Sequence, residues 1–261
     1  MPLFDHLGEL RMRLVRIVAC LAIAVIVFYM ATPTMGQFLL LPIAEFLPTD
    51  PATGMASLQA IDPFEAFAVR FEISLFAGLI ATSPVILWQL LAFFLPALKP
   101  KERKWVVPTV AAMVALFFLG MIFCFFVIQP AAFGWLLDQS FEIGSIVPNA
   151  EDYLDIYMLL EIGFGIAFQL PLVIFYLSVF HLVPYKTFRA QWRFVYVGLM
   201  VLSAVVTPDA SPMTMVLMFA ALIGLYEVAL AVARVIIVAR DGREALKWSR
   251  DDYEQHAFDK Q

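Results

Sequence analysis

The sequence predicts an all-α integral membrane protein that crosses the bilayer six times, with both termini in the cytoplasm. Three observations carry this. Hydrophobic residues make up 62% of the 261 and charged residues only 15%, with a mean hydropathy of +0.86; a soluble domain is about half apolar and about a quarter charged. The apolar residues fall in long runs, most of them near the roughly 20 residues that a bilayer-spanning helix needs. The bases are segregated: three precede the first run, four follow the second, three follow the fourth and six follow the last, which accounts for 16 of 17. Short loops rich in Lys and Arg stay cytoplasmic, because the bilayer and the membrane potential both oppose moving those charges across. Since charge is segregated, the net charge of -5 says little about partners.

The chain reads as a single polytopic membrane domain, 1–261. Leu3, Leu7, Leu10 and Leu14 form a helical stripe in the opening segment, with Asp5, Glu9, Arg13 and Arg16 on another face. This segment is expected to be a short surface helix, leading into an uncleaved first span at about 17–31. Residues 32–66 have no Lys or Arg, several acids and five prolines, which suits an outside loop of short helical pieces. Spans two and three, about 71–94 and 105–133, flank the basic loop with Lys99, Lys101, Arg103 and Lys104. Pro84, Pro108 and Pro130 should bend or end helices here. The acidic segment 134–155 lies outside. Span four, about 156–180, contains Glu161 and Gln169 and ends before Lys186, Arg189 and Arg193.

Span five, about 194–206, is short: 13 residues of helix rise roughly 20 Å against a hydrocarbon core of about 30 Å. The bilayer should thin there, or water should enter. Span six covers about 213–233, and the tail 234–261 mixes six bases with six acids. Pro84–Lys99 and Pro171–Lys186 share a weak same-direction similarity, unlike the inverted repeats of many transporters. Cys20 and Cys124 should differ in depth by roughly 18 Å, too far for a disulfide.

The sequence contains no metal-ligand cluster, nucleophile elbow, phosphate loop or dinucleotide fingerprint, and its three histidines are scattered. An enzyme is not expected, nor a cofactor, a metal ion or a nucleic-acid partner. Polar groups at membrane depth remain. Gln169 lies roughly 16 Å from the inner end of its span, where an amide either serves function or bonds a neighbouring helix. Glu161 and Glu227 must each be protonated, paired or facing water. Arg70 is expected to pair with Glu65 or Glu72 at the interface. Glu9 and Glu102, each set among bases, either pair locally with Arg13 or Arg103 or receive a cationic ligand.

The stretches HLGELRMRL (His6–Leu14), SPVILWQLLAFFLPALKPKERK (Ser83–Lys104), FGIAFQLP (Phe164–Pro171) and AVVTPD (Ala204–Asp209) resemble the signature stretches of the TatC family of the twin-arginine protein translocase. The resemblance covers nearly the whole chain. It implies a concave, glove-like bundle in the cell inner membrane that binds twin-arginine signal peptides at its cytoplasmic face. It also implies self-association, contact with membrane lipid, and work with the single-span subunits TatA and TatB to export folded cargo on the proton-motive force. By position, Glu9 and Glu102 match the family's signal-peptide-binding glutamates. Arg11 and Phe93 match functional positions of the same inner surface, and Pro42 and Asp209 match positions on the outer side. A guanidinium is always charged and grips a carboxylate with two hydrogen bonds, which an ammonium does not reproduce. Gln169 stands where many members have glutamate; it can still bond TatA or TatB but carries neither charge nor proton. Glu161 is about 80° away around the helix and is no clear substitute. The alternatives on residues alone are a secondary transporter of a small solute and a structural subunit without ligand.

Overall fold

A computed structural model describes residues 3–46, 63–94, 106–141, 149–179, 183–207, 212–248 and 252. Helix dominates them throughout. The α-helices are α1 (Leu3–Leu40), α2 (Pro63–Phe94), α3 (Val106–Phe123), α4 (Gln129–Phe141), α5 (Ala150–Ala167), α6 (Leu170–Val179), α7 (Tyr185–Ala190), α8 (Trp192–Val206) and α9 (Pro212–Asp241). Among the described residues five stretches are long and apolar enough to cross a membrane: Gly8–Thr32, Pro63–Phe93, Val106–Leu136, Ala150–Val179 and Pro212–Arg240. Trp192–Val206 is a shorter apolar helix.

Contacts group the chain into two compact units, one holding the residues up to Phe118 with Phe125–Met158, the other Leu119–Cys124 with the residues from Leu159 onward. In the first unit α1 packs chiefly on α2. Glu9, Arg13, Ile17, Cys20, Ala24, Phe28 and Thr32 are among the more protected positions of α1 and form a stripe at helical spacing. Gly78 permits the close approach, because a Cβ there would stand 3.2 Å from the backbone nitrogen of Val25. Further along, the Thr32 and Ser74 hydroxyls bond at 2.9 Å, so the hydroxyls buried between the helices satisfy each other.

Three differences from the sequence reading have local causes. The opening helix and first span form one unbroken 38-residue helix that runs past residue 31 and ends in a 3₁₀ segment, Leu41–Phe46. The Leu stripe and the apolar run share one helical period, so nothing between them interrupts hydrogen bonding. Arg70 makes its described contacts with Tyr29, lying 4.5 Å over the ring and donating to the carbonyl at 3.3 Å. Glu65 and Glu72, five residues before and two after, are off its helical face. The fourth span is divided between α5 and α6 by a turn at Phe168 and Gln169.

That division follows from Pro171, which has no N–H to give to Ala167 and crowds the preceding turn. The backbone N–H of Gln169 accordingly bonds the carbonyl of Ile166, three residues back, at 2.9 Å. The Gly165 carbonyl loses its usual donor and receives the Gln169 side-chain Nε2 at 3.4 Å instead. Between α3 and α4 a π-helical segment, Cys124–Ile128, relieves the same problem before Pro130. Fully buried Gln129 then donates from Nε2 to the Tyr157 carbonyl at 3.0 Å.

In the second unit α9 is the central helix, packed by α6 and α8. Met218, Leu222, Leu230 and Ile237 are fully buried along its inner face. Gly120 fits against the turn that carries Phe164 and Phe168, and Gly163 fits against Val206. The buried carboxyl of Glu161 contacts the Cys124 thiol, so it is accommodated within the protein.

Candidate functional site

The site is assembled at one end of the α1–α2 pair. Glu9 lies in the second turn of α1, its side chain 30% exposed, and Arg13 is one turn further on the same face. Arg13 donates to Glu9 Oε1 from both Nε, at 3.1 Å, and Nη2, at 2.5 Å. Its remaining terminal nitrogen, Nη1, donates to Gln89 Oε1 on α2 at 3.1 Å. The guanidinium thus spans two helices, and the described bonds to Glu9 all fall on one of its two oxygens.

Phe93 follows Gln89 by four residues, on the same face in the last turn of α2, and is half-buried. Carboxylate, guanidinium, amide and ring therefore line one end of the helix pair, with exposed Arg11 beside them. Such an arrangement offers an acceptor for a guanidinium next to an apolar surface. Glu102 and Asp209 lie outside the described residues. Pro42 sits half-buried in the 3₁₀ segment past the far end of α1, roughly 50 Å along the chain's helical rise from Glu9.

Gln169 is placed at the α5–α6 break rather than inside a regular helix. Glu227, the other carboxylate read as needing a partner, has several. Arg189 reaches it with Nη1 at 3.0 Å and Nη2 at 2.9 Å, one nitrogen to each oxygen. Tyr196 donates to it at 3.1 Å, and Tyr226 donates to the Phe188 carbonyl at 3.1 Å. These bonds tie α7 and α8 to α9. Arg189 is pushed above its ordinary value, chiefly by the hydrogen bond with Tyr185 and further by that with Glu227.

Residues 5–220 match the family described as Sec-independent protein translocase protein (TatC). The chain belongs to the TatC family. Its relatives include the Sec-independent protein translocase protein TatC of Synechocystis, 30% identical over 87% of this chain and 85% of that one. The TatC protein of Deinococcus radiodurans is 30% identical over 93% and 90% of the two chains. The crystal structure titled Twin Arginine Translocase Receptor-TatC superposes with a TM-score of 0.73 at 28% identity, covering 88% of this chain and 98% of that one. TatC membership makes this a multi-pass membrane protein of a protein translocase, a non-enzymatic transport component that works with other Tat subunits. It takes the place of the solute-transporter alternative.

Sequence reasoning missed Gln89. Its signal is faint but present: it is a lone amide in the apolar end of α2, one helical turn before Phe93. The Arg189 and Glu227 pairing joins residues 38 apart with no local pattern to announce it.

Proposed function

We propose that this chain is the receptor subunit for twin-arginine signal peptides. It binds them at its cytoplasmic face and, with TatA and TatB, passes folded proteins across the membrane on the proton-motive force. The observation that carries the reading is Glu9: a part-exposed carboxylate at the end of α1, already shaped around a guanidinium and adjacent to the Phe93 end of α2. One peptide arginine is assigned to Glu9 and the other to Glu102, while Phe93 takes the peptide's apolar segment. Arg11 and the bases around Glu102 repel cations in general, so attraction is confined to the two carboxylates. The orientation follows from the distribution of bases, which puts both termini and the basic loops inside. Gln169 is assigned to contact with a partner's single span, and Pro42 and Asp209 to the outer side.

The test is binding of a twin-arginine peptide and a twin-lysine control to purified protein in detergent. Glu9→Ala and Glu102→Ala should each weaken twin-arginine binding by about ten- to a hundredfold, the loss of one charge-assisted contact. Glu102→Lys should weaken it further. If both alanine variants bind the two peptides as the parent does, the glutamates are loop salt bridges and the assignment is wrong.

A further inference from the structure

Arg13 is well placed to do to Glu9 what a peptide arginine would do. It is the right group, it makes two hydrogen bonds to the carboxylate, and its third bond, to Gln89, fixes it from a second helix. We propose that Arg13 is a resident guanidinium on Glu9, so that peptide binding is an exchange of one guanidinium for another, and that Gln89 determines how firmly the resident is held. The inference rests on the reading of Glu9 as a peptide-binding carboxylate.

The chemistry of the exchange follows from the geometry. Both described Arg13 bonds fall on Oε1, so an incoming guanidinium can engage the carboxylate through Oε2 before Arg13 leaves. Leaving Glu9 also takes Arg13 Nη1 away from Gln89, so the Gln89 bond adds to what an incoming guanidinium must displace. A peptide arginine restores the bonds that Arg13 gives up. A peptide lysine supplies a point charge without the fork.

An internal competitor subtracts the same factor from every ligand's affinity. The discriminating consequence is a threshold: the weaker ligand, the lysine peptide, falls below occupancy at a concentration where the arginine peptide still binds. A cytoplasm full of basic segments makes such a threshold useful to a receptor with an exposed carboxylate.

The experiment measures peptide affinity by titration on the full-length protein in detergent, for parent and variants, with thermal unfolding recorded for each. Arg13→Gln removes the resident. Arg13→Lys keeps its charge but not the fork, and Gln89→Leu removes its second-helix anchor. Arg16→Gln deletes an equal charge from an exposed position of the same helix and provides the electrostatic baseline. Arg13→Gln should tighten twin-arginine and twin-lysine binding alike, by about 1.5- to fivefold beyond Arg16→Gln, the worth of a part-exposed pair, and Arg13→Lys, which loses the fork but no charge, should tighten both relative to the parent. Gln89→Leu should act in the same direction and less. Should Arg13→Gln unfold, Arg13→Lys and Gln89→Leu decide the matter, each compared with the parent because neither deletes a charge. Affinities of Arg13→Gln no tighter than those of Arg16→Gln, or of Arg13→Lys and Gln89→Leu no tighter than the parent's, overturn the exchange. Glu9→Gln separates the two levels: if it binds as the parent does, the Glu9 assignment itself has failed; if it weakens binding while the Arg13 variants do not tighten it, only the exchange is wrong.

Discussion

Helix α8 is 15 residues long, about 22 Å at 1.5 Å per residue, and a hydrocarbon core of about 30 Å leaves it roughly 8 Å short. At fractions of a kcal/mol per Å, a bilayer adapting to it would store a few kcal/mol. Inserting four leucines after Val201 adds about 6 Å and removes most of that mismatch. Four residues turn the helix by about 400°, so the part beyond the insertion is rotated only about 40° from its native facing. Of its buried positions, Leu199 precedes the insertion and Ser203, beyond it, keeps nearly its native facing. The expected outcome is a protein that inserts and resists thermal unfolding as the parent does, but exports a folded twin-arginine reporter much more slowly, because the thinned region has been lost. Parent protein reconstituted in progressively longer-chain lipids should lose transport over a corresponding thickness range. Undiminished export by the lengthened variant would refute the reasoning and leave the short helix without a role in transport.

The other expectations are more local. Gly120→Ala would put a Cβ 2.7 Å from the Phe164 carbonyl oxygen and 2.8 Å from the Phe168 ring, so it should destabilise the protein by about 1–3 kcal/mol, read as a lowered unfolding temperature; an unchanged temperature would mean the contact relaxes freely. Glu227→Leu removes the acceptor shared by Arg189 and Tyr196, but the pair is more than a third exposed, so the expected loss is only about 0.5–1 kcal/mol in thermal unfolding. Gln169→Leu should loosen the α5–α6 break by removing the bond to Gly165 and reduce crosslinking to single-span partners, whereas Gln169→Glu should be tolerated; normal crosslinking of the leucine variant would confine the residue to its own helix. Reporters fused after Asp50 or Asn149 should behave as periplasmic and those after Lys101 or Arg243 as cytoplasmic, and an outside signal at Lys101 would contradict the proposed orientation.

Hydropathy made the helices legible because burial in lipid is written along the chain at one residue resolution. The Glu9 and Arg13 pairing was equally legible, being a matter of one helical turn. What escaped was of two kinds. Gln89 meets Arg13 across 76 positions, and Arg189 meets Glu227 across 38; such contacts belong to packing, which no local period encodes. Of the prolines read as disruptive, Pro84 lies inside the uninterrupted α2 and Pro108 in the first turn of α3, and only Pro130 adjoins an irregular segment, the π-helical Cys124–Ile128. Pro171, where no break was expected, is the one answered by a turn and a side-chain amide.

The continuity of α1 has a mechanical meaning. A rod of 38 residues, about 57 Å long, carries Glu9 near one tip and leads directly into the Pro42 segment at the other. Pivoting by 10° about its midpoint would displace each tip by about 5 Å in opposite directions. Motion imposed at the Glu9 tip would therefore reach the Pro42 end with its direction reversed.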